Sequence, residues 1–463
     1  MGTKTGISLT LRISNTPPYP GQNTLIIRLS GAQYGQEQYD WNFTSVPQPR
    51  LNNRRVNQCC GRQLGGSSVL NFMLALDPYP SRAIIDAWGK LSNPVWSYDV
   101  LAPEGYMTEL NEAWIRTFSN LGLDMAVDLR TGKAHGAFQN AATIDPKTHT
   151  RSWAATRYLK PDVRSRSNLV VLTETIVKRT VSSSDGVPEL RDEHGIPSAD
   201  PVLRDPSIAD VLLEGYITLG GSGPLDQSNI SVAYAPLADH HGPVTEQGRQ
   251  TLLEKHSGSL RSKFQPGSSR QFDVQLSLAK ESEEPTAEYL LSPSNGSYPD
   301  EPNSLADILV SSRPEKFITI MTVLNHPLSR GLVHVASPDI NVKPTWDPNY
   351  MKEPLEMEII ARGIQFMEKI VDTDPFSSSV LKRGGVRLPD IVDDLEKAKD
   401  LVRQRQLSIF HVAGSCAMLP EDEGGVVSER LRVYRTKNLR VVYASIFPLE
   451  PLGNFISTVY AVA

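Results

Sequence analysis

Two stretches near the C-terminus carry the clearest fold signal: His411-Val-Ala-Gly-Ser-Cys-Ala-Met418 and Tyr443-Ala-Ser-Ile-Phe-Pro-Leu-Glu-Pro-Leu-Gly-Asn454. A strand is predicted over residues 438–442 and a helix beginning near Asn454. Such a helix brings a polar side chain to its N-terminus, where free amides and the positive end of the helix dipole favour an anionic or oxygen-rich ligand. The two stretches therefore indicate the edge of a cofactor site.

Further motifs lie upstream, in Gly61-Arg-Gln-Leu-Gly-Gly-Ser-Ser-Val-Leu-Asn71-Phe-Met73, Tyr39-Asp-Trp-Asn-Phe-Thr44, His326-Pro-Leu-Ser-Arg-Gly331 and Asp347-Pro-Asn-Tyr350. The glycines of the first motif allow the backbone to approach a ligand where a Cβ would clash. Together with the C-terminal stretches, and in the same order along the chain, these motifs resemble the glucose-methanol-choline (GMC) family of flavin-dependent oxidoreductases, in its fungal form.

The resemblance implies a mixed α/β fold with two domains. A discontinuous, Rossmann-like FAD-binding domain is expected from residues 1–75, 151–224 and 406–463, and it is expected to be incomplete. A substrate domain is expected from residues 76–150 and 225–405, with an antiparallel sheet covered by helices. At 463 residues and 39% hydrophobic content, the chain is long enough for two such domains.

The resemblance also implies roles for particular residues. His411 corresponds to the base that takes the hydroxyl proton of an alcohol, and histidine suits this task because its ordinary pKa lies near neutrality. Asn454 corresponds to the partner that holds the substrate oxygen. The residues that would contact FAD are Gly65, Gly66, Ser67, Asn71, Val177, Ala444 and Ser445. No metal is implied, and the spacing of the cysteines does not predict a zinc site.

Three departures from the family pattern concern FAD itself. No Gly-x-Gly-x-x-Gly turn occurs in the chain, although this turn normally holds the pyrophosphate. The segment between Val177 and Ile196 is shortened or replaced, and Tyr443 stands where the family has an aspartate. Charge-assisted hydrogen bonds are worth about 1.5–3 kcal/mol each, so loss of the turn argues against FAD retention.

Three functions are consistent with these observations. The first is an FAD-dependent oxidoreductase that acts on a CH–OH group of a small or secondary-metabolite substrate. The second is a flavin-independent cyclase, dehydratase or isomerase that uses His411 as an acid or a base. The third is an inactive, truncated paralogue. This alternative is favoured because the chain ends at Ala463, within a predicted helix.

Composition restricts the partners and the location. The formal net charge is −5, which argues against nucleic acid and anionic membranes as partners. The family resemblance implies an alcohol or polyketide-like small molecule as the substrate. Arg54-Arg55 is interpreted as a solvated or locally paired doublet. No apolar leader or membrane-spanning run occurs, which predicts a cytoplasmic protein as written, with a secretory signal possible upstream. The sequence leaves the oligomeric state open.

Periodicity predicts the elements around these motifs. Apolar stripes at helical spacing occur over residues 108–123, 353–373 and 391–402. Alternating patterns predict strands over 272–278, 317–324 and 332–336. Polar, glycine-rich composition predicts a mobile loop or lid over 236–269 and a polar insertion over 285–302.

Overall fold

The computed structural model describes residues 33–71, 74–75, 109–124, 135–138, 141–143, 151–166, 189–191, 231–257, 266–292, 302, 317–339, 341–381, 392, 394–436 and 439–462. The strands are β1 (Phe43–Thr44), β2 (Asn57–Gln58), β3 (Leu74–Ala75), β4 (Gly136–Phe138), β5 (Ala141–Ala142), β6 (Glu189–Arg191), β7 (Ser231–Ala235), β8 (Ala238–Asp239), β9 (Gly242–Pro243), β10 (Ala287–Ser292), β11 (Phe317–Leu324), β12 (Leu332–His334) and β13 (Thr345–Asp347). The helices are α1 (Glu109–Asn120), α2 (Ala154–Tyr158), α3 (Pro161–Arg164), α4 (Glu246–Ser257), α5 (Pro266–Lys280), α6 (Pro354–Val371), α7 (Leu395–Arg405) and α8 (Ile456–Val462).

A five-stranded antiparallel sheet in the order β4-β7-β10-β11-β6 is the centre of the described structure. Its longest strand, β11, reads Phe-Ile-Thr-Ile-Met-Thr-Val-Leu, and such β-branched and aromatic residues favour strands. The strand predicted over residues 317–324 is therefore confirmed. The strand predicted over 332–336 is confirmed as β12, but it pairs with β13 in a separate two-stranded sheet.

The two faces of the central sheet meet different partners, because side chains alternate along a strand. One face contributes Ala233, Tyr289 and Ile320 to the main hydrophobic core, which it shares with helices α1, α6 and α7. The opposite face contributes Val232, Tyr234 and Leu290 to a smaller cluster. This second face is directed toward the C-terminal segment, where Leu452 joins it.

Helices cover the core face of the sheet. In α6, Phe366 packs edge-on against Tyr289 at 5.4 Å and against Phe118 of α1 at 6.2 Å between ring centroids. The helices predicted over residues 108–123 and 353–373 are confirmed. The third begins at Leu395, later than predicted, because the Asp394 side chain accepts a hydrogen bond from Lys397 N at 2.9 Å and caps it there.

The predicted fold class, mixed α/β with an antiparallel sheet covered by helices, is thus confirmed. Residues 1–32 and 167–188, where much of the FAD-binding domain is expected, lie outside the described residues. The domain boundaries remain a prediction.

The strand predicted over residues 272–278 is wrong, since this segment lies within helix α5. Both faces of the helix are covered. Phe272 and Leu276 belong to one cluster, whereas Leu278 and the adjoining Val274 belong to another. Each pair is spaced four residues apart, as helical neighbours are, and the two interleaved pairs imitate the alternation of a strand.

Where the structure describes them, the two segments predicted as mobile or polar loops are largely regular structure. Within residues 236–257 the chain forms the β8–β9 hairpin and helix α4, whose Leu252 and Leu253 are buried, so the lid prediction is wrong there. Within 285–302, strand β10 occupies the middle of the central sheet. Over these described residues the two predictions are wrong, because composition reports polarity but not the surfaces that cover a segment; residues 258–265 and 293–301 lie outside the described residues.

Arg54 is buried, which contradicts its interpretation as a solvated or locally paired residue. Its guanidinium donates to three backbone carbonyls: Pro302 O at 2.7 Å, Arg403 O at 3.1 Å and Gln406 O at 2.6 Å. The neighbouring Arg55 is exposed, as expected. Arg54 therefore joins three segments that are distant in sequence.

Candidate active site

His411 lies in an extended segment that follows helix α7. The residue before it, Phe410, has a left-handed backbone conformation (φ +69°), and its N–H donates to Ser408 Oγ at 3.0 Å. The imidazole packs on the ring of Phe455, with 4.7 Å between centroids. These contacts aim the imidazole at the start of helix α8.

Asn454 meets His411 there, close enough for a side-chain hydrogen bond to act on the pKa of His411. Burial lowers the pKa of His411 to about 4, and the bond to Asn454 opposes this shift. Both side chains keep partial access to solvent. The structure therefore brings together the two predicted catalytic residues, with a neutral imidazole at pH 7. Helix α8 begins two residues after Asn454, as the sequence predicted.

Glu288 of strand β10 completes this group, and sequence reasoning missed it. Asn454 Nδ2 donates to Glu288 Oε1 at 3.3 Å, while the buried Oε2 has no hydrogen-bond partner among the described residues. Burial raises the pKa of Glu288 to about 8, against the lowering effect of the Asn454 bond. The available signal was one acidic residue within the apolar run Ala287-Glu-Tyr-Leu-Leu291.

An apolar wall adjoins Glu288 on the same face of the sheet. Tyr234 stands opposite Glu288 in the register of β7 and β10, and burial together with the Glu288 charge raises the pKa of its phenol. Phe138 lies 5.7 Å from the Tyr234 ring, between centroids. The wall is formed by Phe138, Val232, Tyr234, Leu290 and Leu452. A single carboxyl group is thus set in apolar and aromatic surroundings.

The predicted cofactor turn forms a compact unit, here called the glycine turn (residues 61–71). Gly65 and Gly66 have φ angles of +98° and +57°, which favour glycine, and nothing lies within 4 Å of a Cβ built on Gly66. Asn71 N donates to Ser67 O at 3.1 Å. The predicted residues Gly65, Gly66, Ser67 and Asn71 therefore lie in one turn.

The second predicted cofactor segment pairs with the His411 motif. Cys416 N donates to Ser445 O at 2.7 Å, and Gly414 N donates to Ala444 O at 3.4 Å. The two C-terminal stretches are thereby brought together. Ser445 Oγ is buried and has no hydrogen-bond partner among the described residues, whereas Tyr443 is 51% exposed.

Helix α8 connects the two parts of the site. It starts just after Asn454, and its Tyr460 lies against Ser68 of the glycine turn. The strand predicted over residues 438–442 is not found where it can be tested. Over 439–442 the chain forms only an isolated bridge, between Arg440 and Arg432. Val177 and residue 438 lie outside the described residues.

The GMC oxidoreductase profile matches residues 327–463, a range that contains both His411 and Asn454. The C-terminal part of the chain therefore matches the GMC oxidoreductase family. The chain is 27% identical to dehydrogenase mpl7 of Monascus purpureus, over 94% of this chain and 87% of that protein. It is 24% identical to the GMC oxidoreductase family protein Mala s 12 of Malassezia sympodialis, over 92% of this chain and 82% of that protein.

A solved structure supports the same fold. A fungal aryl-alcohol oxidase superposes on this chain with a TM-score of 0.71 at 19% identity, covering 91% of this chain and 88% of that chain. The resemblance predicted from the sequence is confirmed. None of the described helices combines the length and apolar character needed to cross a membrane, and no metal-binding cluster occurs among the described residues.

Proposed function

We propose that this protein is a GMC-type, FAD-dependent enzyme that oxidises a CH–OH group of a small or secondary-metabolite alcohol. The observation that carries the proposal is the hydrogen-bonded series His411, Asn454 and Glu288, set against an apolar wall. FAD, when bound, supplies the acceptor for the hydride that leaves the carbon atom. The protein side chains supply proton transfer and positioning.

His411 acts as the base. The bond to Asn454 raises the pKa of His411, as a bond does when the ring donates it to the amide oxygen. The other ring nitrogen then carries the lone pair and takes the hydroxyl proton of the substrate. Partial solvent access allows a substrate to reach it.

Glu288 orients Asn454. Because its carboxyl oxygen accepts from Asn454 Nδ2, the amide oxygen is left to face His411. With a pKa of about 8, Glu288 is a neutral acid at pH 7 and adds no charge to the pocket. The apolar wall and this neutral acid together fit an uncharged alcohol with an aromatic or alkyl body.

The described residues fit the ring-proximal part of FAD. Gly66 leaves space for close approach, and the buried Ser445 Oγ has hydrogen-bonding capacity to offer. The residues we assign to FAD are Gly65, Gly66, Ser67, Asn71, Val177, Ala444 and Ser445. The sequence has no Gly-x-Gly-x-x-Gly turn, so the pyrophosphate must be bound by a different element.

A second candidate is flavin-independent acid–base catalysis in the same pocket, such as cyclisation, dehydration or isomerisation. The observation that favours it is the pair of opposite pKa shifts, with Glu288 at about 8 and His411 at about 4. Neighbouring groups whose pKa values are pushed apart are suited to act as acid and base. Flavin-independent catalysis needs no element that binds the FAD pyrophosphate.

Visible absorption of the purified protein, with and without added FAD, tests the proposal. We expect a protein-bound flavin spectrum and reduction of the flavin by members of an aromatic and aliphatic alcohol panel. His411→Ala should lower the rate of flavin reduction about 10²- to 10⁴-fold, the usual contribution of a general base. The exposed His334→Ala is the matched control and should leave the rate unchanged.

A folded protein that stays colourless in excess FAD would exclude the oxidoreductase proposal. The flavin-independent candidate then predicts conversion of a polyketide-like substrate without change of oxidation state. That activity should also be lost in His411→Ala.

A further inference from the structure

Arg151 is a buried arginine, 3% exposed, that lies directly behind the glycine turn. Its Nη1 donates to both Asn71 O and Asn71 Oδ1, each at 2.8 Å. Burial lowers the pKa of Arg151 to about 10, so the guanidinium remains charged at pH 7. Charge-assisted hydrogen bonds from a buried donor are among the stronger ones in proteins.

The residues after Arg151 hold the same turn. A Cβ built on Gly65 would come within 2.8 Å of Trp153 Cδ1, so the indole lies directly against this glycine. Ala154 N donates to Ser68 Oγ at 3.2 Å, and Ser68 Oγ donates to Gly65 O at 2.6 Å. Residues 151–154 therefore contact the glycine turn at Gly65, Ser68 and Asn71.

We propose that Arg151 is a positioning residue that sets the orientation of the Asn71 amide for the cofactor. An asparagine amide can present either its oxygen or its nitrogen to a ligand. The guanidinium can only donate, so it holds the amide oxygen and turns Nδ2 away from itself. On the FAD-dependent function proposed above, on which this inference rests, Nδ2 supplies a hydrogen-bond donor to the flavin.

The test is a double-mutant cycle on FAD affinity, measured by quenching of flavin fluorescence. Arg151→Met and Asn71→Leu should each raise the Kd for FAD roughly 10- to 100-fold, since a bond to a charged group is worth about 1.5–3 kcal/mol. Because Arg151 acts through Asn71, the double variant should have the same Kd for FAD as Asn71→Leu alone. Arg157→Met, an exposed arginine of the same segment, is the control and should leave Kd unchanged.

Asn71→Asp separates positioning from simple support of the fold. Aspartate keeps both acceptors for Arg151 but has no N–H to give the flavin. We therefore expect wild-type hydrogen–deuterium exchange in residues 65–71 together with a weakened affinity for FAD. If Arg151→Met does not fold, Arg151→Lys replaces it, because lysine lacks the planar fork and should give the same direction of change.

Additive losses in the cycle, or an unchanged Kd in the Arg151 variants, would overturn the inference while leaving the proposed function intact. If the wild-type protein binds no FAD, the proposed function fails instead. Hydrogen exchange then tests whether Arg151 fixes Asn71 in the glycine turn. Faster exchange of residues 65–71 in Arg151→Met than in Arg157→Met supports this contact, and equal exchange refutes it.

Discussion

At the scale of single residues, one physical cause acts oppositely on two neighbouring side chains. Burial disfavours the charged form of any ionisable group, so it lowers the pKa of His411 and raises that of Glu288. Both groups are therefore neutral at pH 7. A neutral histidine can accept a proton, and a neutral carboxyl can be retained in an apolar wall without a counter-ion.

Glu288→Gln tests directly whether the Glu288 carboxyl is neutral at pH 7. The folded pKa of Glu288, about 8, lies above its ordinary value of 4.5, so its contribution to stability is full below pH 4.5 and is lost as the pH rises through 8. Wild-type protein should lose a few kcal/mol of unfolding free energy between pH 5 and pH 9, since one pKa unit corresponds to about 1.4 kcal/mol. Glu288→Gln should lose much less.

The measurement is denaturant unfolding at both pH values. Exposed Glu112→Gln provides the control and should follow the wild-type pH profile. Parallel profiles for wild type and Glu288→Gln would show that Glu288 ionises normally in the folded protein.

At the scale of elements, the glycine turn depends on its backbone conformation more than on its side chains. A Cβ at Gly61 would overlap the backbone of Gly66, which cannot move without opening the turn. A Cβ at Gly66 would meet nothing within 4 Å, although its φ of +57° strains any other residue. The two glycines are therefore needed for different reasons.

Gly61→Ala and Gly66→Ala form a matched pair. We expect Gly61→Ala to destabilise the protein by roughly 3 kcal/mol or more through overpacking. Gly66→Ala should cost only about 1–2 kcal/mol, the strain of a left-handed residue. Thermal unfolding of both variants checks the order, and equal losses would mean that the turn tolerates a shift at Gly61.

At the scale of the whole molecule, Arg54 connects segments that are distant in sequence. Its bonds reach across 248 residues to Pro302 and across 352 residues to Gln406. These three partners are backbone carbonyls, so their residue types do not mark the contacts in the sequence. A buried carbonyl needs a hydrogen-bond donor, and the guanidinium provides one.

Arg54→Met should therefore destabilise the protein by at least roughly 3 kcal/mol, because several hydrogen bonds to a charged group are lost together. Its exposed neighbour gives the control: Arg55→Met should change stability by less than about 0.5 kcal/mol. Denaturant unfolding of the two variants measures both effects. Similar small changes in both would show that the three carbonyls find other donors.

The sequence by itself displayed the resemblance to the GMC family, predicted helices α1, α6 and α7 and strand β11, and supplied His411 and Asn454 as the predicted catalytic residues. These features depend on motifs or on periodicity within one short segment, which a sequence displays directly. The same reasoning misassigned residues 272–278, because a helix covered on two faces can imitate the spacing of a strand.

Only the tertiary structure placed Glu288 beside Asn454, 166 residues away, and Arg151 behind Asn71, 80 residues away. Local spacing contains no record of such partners, because they meet only when the chain folds back on itself. Burial follows from the same long-range packing, and burial shifts the pKa values of His411 and Glu288. The residue types came from the sequence, whereas their chemical state came from the fold.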